Sequence, residues 1–214
     1  MSRRPKLPLM LPLLLLAAST LLLSGCFTGK RPSFSTEKFE LGTPTGDPAI
    51  DAVLARLDAA TSSPPTFSAT YDIFTKFGMA HHPTTVTVSG SRRVVHVDDV
   101  RYTQGPSQDQ TCRASACSTG IDPAAISNTQ VTIDFYAADA AKRLRLDATA
   151  KIGPTVASTK TIAGQPASCV DVKQADNTAT YCVLANGVLA ELDDADVSVT
   201  MQSYSANVDE TALD

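Results

Sequence analysis

Alternation constrains this chain more than any other feature. From Thr66 the apolar residues Phe67, Ala69, Tyr71 and Ile73 alternate with Ser68, Thr70 and Asp72, the period of a strand with one buried face. Comparable runs lie near residues 84–90, 92–97, 99–103 and 129–135, and again near 157–163, 168–174, 178–184, 187–192 and 196–204. The intervals between them are hairpin-length, so consecutive strands are expected to pair antiparallel.

Two segments carry the helical period instead. In DPAIDAVLARLDAA, Asp47 suits an N-cap and Pro48 the first helical position, and Ile50, Val53, Leu54 and Leu57 share one face. Ser62, Ser63, Pro64 and Pro65 stop it. In AADAAKRLRLDATA, Asp139 and Arg143 form an i,i+4 pair and Ala137, Ala141, Leu144 and Ala148 share a face. The order is helix, strands, helix, strands, which reads as α+β with an antiparallel sheet. A sheet of so many strands curls, and an amphipathic helix needs an apolar surface. A strongly curved half-barrel packed around its helices meets both needs.

The N-terminus reads as an address. Arg3, Arg4 and Lys6 precede an apolar run that contains two prolines and ends at Leu23-Ser24-Gly25-Cys26. This is the charged, apolar and small-residue order of a secretory signal, and the run falls short of the roughly 20 apolar residues a spanning helix needs. Residues 1–25 are therefore expected to be a signal peptide. Leu23–Cys26 resembles a bacterial lipobox, which implies acylation of Cys26 and a membrane anchor of at least two hydrocarbon chains, enough for stable residence. Residues 26–46 are rich in Pro, Gly, Ser and Thr and read as the acylated cysteine and a flexible tether, with a reach on the order of 25 Å. Residues 47–214 form the single expected domain.

Cysteine usage fits export. With Cys26 assigned to lipid, Cys112, Cys117, Cys169 and Cys182 remain, an even number that allows three connectivities. Spacing favours local pairs: an even-length turn around Ala175-Asp176-Asn177 places Cys169 opposite Cys182, and Cys112 with Cys117 staples a short loop.

The lipobox, the tether, the first helix followed by TFSATYDIF, and a C-terminal half reading TKTIAGQPASCVDV, TATYCVLANGVLAELDD and VSVTMQSYS together resemble the exported actinobacterial lipoproteins of the LolA-like superfamily, including the LppX and LprG type. That resemblance implies a half-barrel around helices with an apolar cavity for acyl chains. It supplies no ligand-contacting residue that can be carried over to a position in this chain.

Other signals narrow the function. The formal charge is −4, and removal of residues 1–25 with their three basic groups takes it to −7, so no basic footprint for nucleic acid exists. Ser35-Thr36-Glu37-Lys38 spells S-x-x-K but lacks its S-D-N and K-T-G companions. His81, His82 and His96 with Asp98 and Asp99 could in principle supply metal or acid–base chemistry, yet adjacent strand residues face opposite ways, and Pro83 suggests that His81 and His82 sit at a solvated hairpin tip. No motif calls for a metal or cofactor, and no catalytic signature is present. The expected function is that of a non-enzymatic, membrane-anchored lipoprotein binding a lipid or glycolipid at the cell envelope. The alternative is a module on the same fold that binds an envelope protein and encloses no ligand.

Overall fold

The computed structural model describes residues 39–213; Cys26, Ser35 and most of the expected tether lie outside them. Eleven strands form one antiparallel sheet: β1 (Phe67–Thr75), β2 (Ala80–Ser89), β3 (Arg92–Val97), β4 (Val100–Gln104), β5 (Gln110–Arg113), β6 (Ala116–Thr119), β7 (Val156–Ile162), β8 (Gln165–Lys173), β9 (Thr178–Leu184), β10 (Leu189–Asp193) and β11 (Val197–Ser205). Their spatial order is β6-β5-β4-β3-β2-β1-β11-β10-β9-β8-β7, so β1 and β11 meet at the centre and β6 and β7 are unpaired edges. The sheet is curved and unclosed, an α+β half-barrel around its helices.

Helix α1 (Pro48–Ser62) begins as its sequence dictates: the Asp47 carboxylate accepts from the Ala49 and Ile50 amides, and Pro48 fills the first turn, where an amide would lack a partner anyway. Ile50, Val53, Leu54, Leu57 and Ala60 are its buried stripe. Helix α2 (Ala138–Ala150) packs beside it and buries Ala140, Ala141, Leu144 and Arg145. The C-terminal half of α1 lies against the β9–β10 turn, where a Cβ on Gly187 would stand 2.1 Å from the Arg56 carbonyl oxygen.

Chain N-terminal to α1 is pinned rather than free over its last few residues. The Gly42 amide donates to Asp58, Thr45 donates to Asp51 through both its amide and its hydroxyl, and the Thr43 carbonyl accepts from Arg145.

One strand expectation needs correction. Residues 129–135 are not a strand: a 3₁₀ segment covers Pro123–Thr129, and the turns that follow close on Phe135 N–H to Thr132 and Ala137 N–H to Asp134. Val131, Ile133 and Phe135 are buried all the same, so alternate burial here comes from an irregular segment lying in the core. The short loop that Cys112 and Cys117 were expected to staple is the turn of the β5–β6 hairpin, whose two strands were not anticipated, with the cysteines directly opposite and bonded. Cys169 and Cys182 likewise stand opposite each other on β8 and β9 and are bonded.

Candidate functional site

The inner face of the sheet is the place an acyl cavity would occupy. Tyr71, Ile73, Val86, Val95, Val97 and Tyr102 on one half, and Val170, Val172, Tyr181, Val183, Leu192 and Val199 on the other, are all buried. A void admitting water beside them would leave accessible surface on its walls. Helices α1 and α2 and the 126–137 segment fill the concavity with side chains instead, and aromatic rings brace it: Tyr71 stands edge-on to Phe135, Phe135 to Tyr136, and Tyr136 to Phe67. The Tyr71 hydroxyl donates to the Leu189 carbonyl, and the Tyr181 hydroxyl donates to Asp147. Burial pushes both hydroxyls well above the usual tyrosine range.

Space exists on the outer face. A groove of about 880 Å³ runs over β1, β2 and β3, floored by Thr70, Thr85 and Thr87 and flanked by Asp72, His96 and Gln202. The C-terminal turn (Glu210–Leu213) walls one side, with Glu210 accepting from Ser89 and Arg92 and Leu213 buried. The strand period explains this lining: β1 residues 68, 70 and 72 face away from the core, and their register partners Thr87, Thr85 and Pro83 face the same way.

The β1–β2 hairpin extends this surface to a tip at residues 76–79. Phe77 at the tip is fully exposed and Met79 is 73% exposed. Lys76 holds the tip against the β10–β11 turn through an ion pair with Asp193 at 2.7 Å. Burying a Phe side chain stabilises by about 1.5–3 kcal/mol, and Phe77 contributes none of that to this fold.

This placement corrects the expectation for the histidines. The tip lies N-terminal to them, and His81, His82 and Pro83 sit inside β2. Pro83 is tolerated because its backbone points to the side where β3 has already turned, and its carbonyl accepts from the Asp98 amide. The alternation reasoning applies: His81 faces outward, bonded to Asp72 at 2.8 Å and packed on Phe74, whereas His82 faces inward, 6% exposed and bonded to Asp98 at 2.6 Å. His96 lies on the groove, where burial and, second, the Arg101 charge lower its affinity for a proton. The three rings serve three separate sets of partners. Among the described residues, no group of three His, Cys, Asp or Glu side chains converges on a metal position.

A second recess, about 450 Å³, opens at the other end of the half-barrel between the β2–β3 turn and the β4–β5 loop. Pro64, Val88 and Tyr136 give it apolar walls, and Arg93 lies in it, already donating to Gln104, Asp134 and Tyr136. Neither the groove nor the hairpin tip was found by sequence reasoning. Phe77 and Met79 fall outside the alternating runs, which was their available signal.

No protein-family model matches the chain, and comparison with curated proteins gives no match. Among solved structures, the crystal structure of MucB is similar with a TM-score of 0.53 at 13% identity, over 79% of this chain and 63% of that one. This chain thus spans less than two thirds of MucB. The complex structure of Pseudomonas aeruginosa MucA/MucB gives 0.35 at 16% identity, over 78% and 60%, and LprF from Mycobacterium bovis gives 0.40 at 10%, over 75% and 94%. At these identities the likeness is one of fold alone, an antiparallel half-barrel packed around helices, which is the architecture expected from the sequence.

Proposed function

We propose that this protein is an exported, lipid-anchored binding module that recognises an envelope protein through the outer groove and the β1–β2 tip. One contrast carries the reading: the inner face is packed shut, while the outer face offers an open, hydroxyl-lined groove ending in a fully exposed Phe77. An acyl chain gains about 0.8 kcal/mol per buried methylene only where it is enclosed, and the outer groove, open along its length and floored in part by threonines, does not enclose one. A protein segment can satisfy the groove's hydroxyls and imidazole while an apolar pocket receives Phe77. The lipobox at Cys26 supports an anchored, extracytoplasmic location, and among the described residues no helix is long and apolar enough to cross a membrane. The separate partners of His81, His82 and His96 support binding rather than catalysis.

A second reading keeps the lipid or glycolipid ligand inferred from the family resemblance. Its motivation is the recess walled by Pro64, Val88 and Tyr136, from which a chain could enter if α1 and α2 parted from the sheet. Two measurements separate the readings. A photo-crosslinking residue at position 77 in the native host should yield one discrete protein adduct that Thr85→Arg removes. Native mass spectrometry with lipid extraction on the exported domain should give a bare protein mass. A stoichiometric co-purifying amphiphile without an adduct would replace the first reading by the second.

A further inference from the structure

The two edges of the sheet are unlike. Edge strand β6 is four residues long and stapled to β5 by the Cys112–Cys117 disulfide. Edge strand β7, Val156-Ala157-Ser158-Thr159-Lys160-Thr161-Ile162, is seven residues long and exposed on both faces over almost its whole length. It contains no proline or glycine, and it pairs with β8 from Val156 to Ile162 without a register shift. Its one charge, Lys160, is held at 2.9 Å by Glu191 of the same chain. Folded proteins usually blunt an edge of this kind with a charge, a proline or a bulge.

Backbone geometry says which amides are free. The β7–β8 hairpin closes through Ala163 and Gly164, both at positive φ, a two-residue turn whose flanking pair Ile162 and Gln165 is hydrogen-bonded. Alternation then directs the backbone of residues 160, 158 and 156 toward β8 and that of 161, 159 and 157 outward. Pro166 agrees: it stands opposite Thr161, at a position that requires no amide from it.

The outward set is symmetric about Thr159. We propose that β7 pairs antiparallel with β7 of a second copy, with the two-fold axis at Thr159, joining two half-barrels into one continuous sheet. In that register Thr159 faces its own counterpart and Ala157 faces Thr161, giving about six backbone hydrogen bonds. Val156, 56% exposed in the single chain, then lies against Ile162 of the other copy. Ser158 opposes Lys160, so no like charges face each other. The arrangement is isologous and closed: it consumes both long edges and leaves only the two short β6 edges outside. It does not depend on the groove or on the β1–β2 tip, so its failure would leave the proposed function untouched.

Sedimentation velocity tests this on the chain from residue 27 onward, which contains all of the described residues. A concentration-dependent dimer is expected at high micromolar protein. Thr159→Pro removes the central outward donor without taking a hydrogen bond from β8, and should sediment as a monomer with an unchanged melting temperature. Should that variant fold poorly, Thr159→Cys serves in its place: its thiols would meet across the axis at about the 5.5 Å Cα separation a disulfide spans, giving a covalent dimer under mild oxidation. Amide exchange at residues 157, 159 and 161 should slow at least tenfold in the dimer. A monomer at every concentration, or a dimer indifferent to Thr159→Pro and not captured by Thr159→Cys, would overturn the pairing. So would an edge that gains protection only when a different protein is added.

Discussion

Arg145 of α2 donates to Asp58 of α1 from a site where the arginine side chain is 2% exposed, and its Nε also donates to the Thr43 carbonyl at 3.0 Å. One guanidinium thus ties together both helices and the chain that leads into them. Asp58 Oδ1 and Arg145 Nη1 have no partner of their own, so the pair is not fully satisfied. Arg145→Ala should leave a buried carboxylate uncompensated and cost about 3–5 kcal/mol in urea unfolding, whereas Arg145→Met with Asp58→Leu should fall within about 1 kcal/mol of wild type. Equal losses in the single and double variants would show that the ion pair is not the cause.

Gly187 sits at φ +85° with α1 backbone directly over its α-carbon. Its Asn186-Gly187 turn is visible in the sequence, but the helix above it is not. Gly187→Ala should cost roughly 2–4 kcal/mol, because the obstacle is a backbone carbonyl that cannot rotate aside and the left-handed conformation adds its own strain. The thermal midpoint measures this; a loss of only about 1 kcal/mol, the low end of what the left-handed backbone alone costs, would mean that α1 shifts freely at this end.

Asp47 supplies the clearest pH dependence. Lys151 and, second, Thr155 donate to its carboxylate, and with the Ile50 and Ala49 amides they hold it at about pKa 2, below the usual 3.8. The folded-state value is depressed, so the stabilisation is present above pH 3.8 and is lost as pH falls toward 2. Asp47→Ala should cost about 1–2 kcal/mol at pH 7, combining a lost N-cap with an unpaired Lys151. The gap to wild type should shrink between pH 4 and 2. A gap constant across that range would assign the loss to packing alone.

The two disulfides should differ in worth. Cys169–Cys182 closes a separation of 13 residues and is buried, whereas Cys112–Cys117 closes a separation of 5 at an exposed edge. Loop-closure entropy gives about 3 kcal/mol for the first and about 2 for the second. Paired Cys→Ala variants should unfold in that order, and mild reductant should open Cys112–Cys117 first.

Phe77→Ser should leave stability within about 0.5 kcal/mol of wild type, since the ring touches nothing that folding buries. With a photo-crosslinking residue placed at position 85 instead of 77, it should abolish the protein adduct expected there. A large stability loss would instead make Phe77 part of the fold.

Period and punctuation were legible in the chain itself. Asp47 and Pro48 started a helix, Ser63 and Pro64 stopped it, and runs such as Arg92–Val97 and Thr178–Leu184 became strands because alternation is imposed by the backbone and needs no distant partner. Short hairpin intervals likewise set antiparallel neighbours, and opposition of Cys169 and Cys182 followed from the turn between them. That helices cover the concave face was legible; whether they fill it was not. A cavity wall and a packed core share one period, so only the seating of α1, α2 and residues 126–137 decided that the concavity is filled. Val131, Ile133 and Phe135 alternate like a strand, yet they pair with no strand, and turns bury them against the core instead. His82 reads like a loop residue beside Pro83, but its inward side of β2 was fixed by register with Ile73 on β1. The exposure of Phe77 and the bare edge of β7 are absences of contact across the fold, and local sequence carries no record of contacts that distant segments do not make.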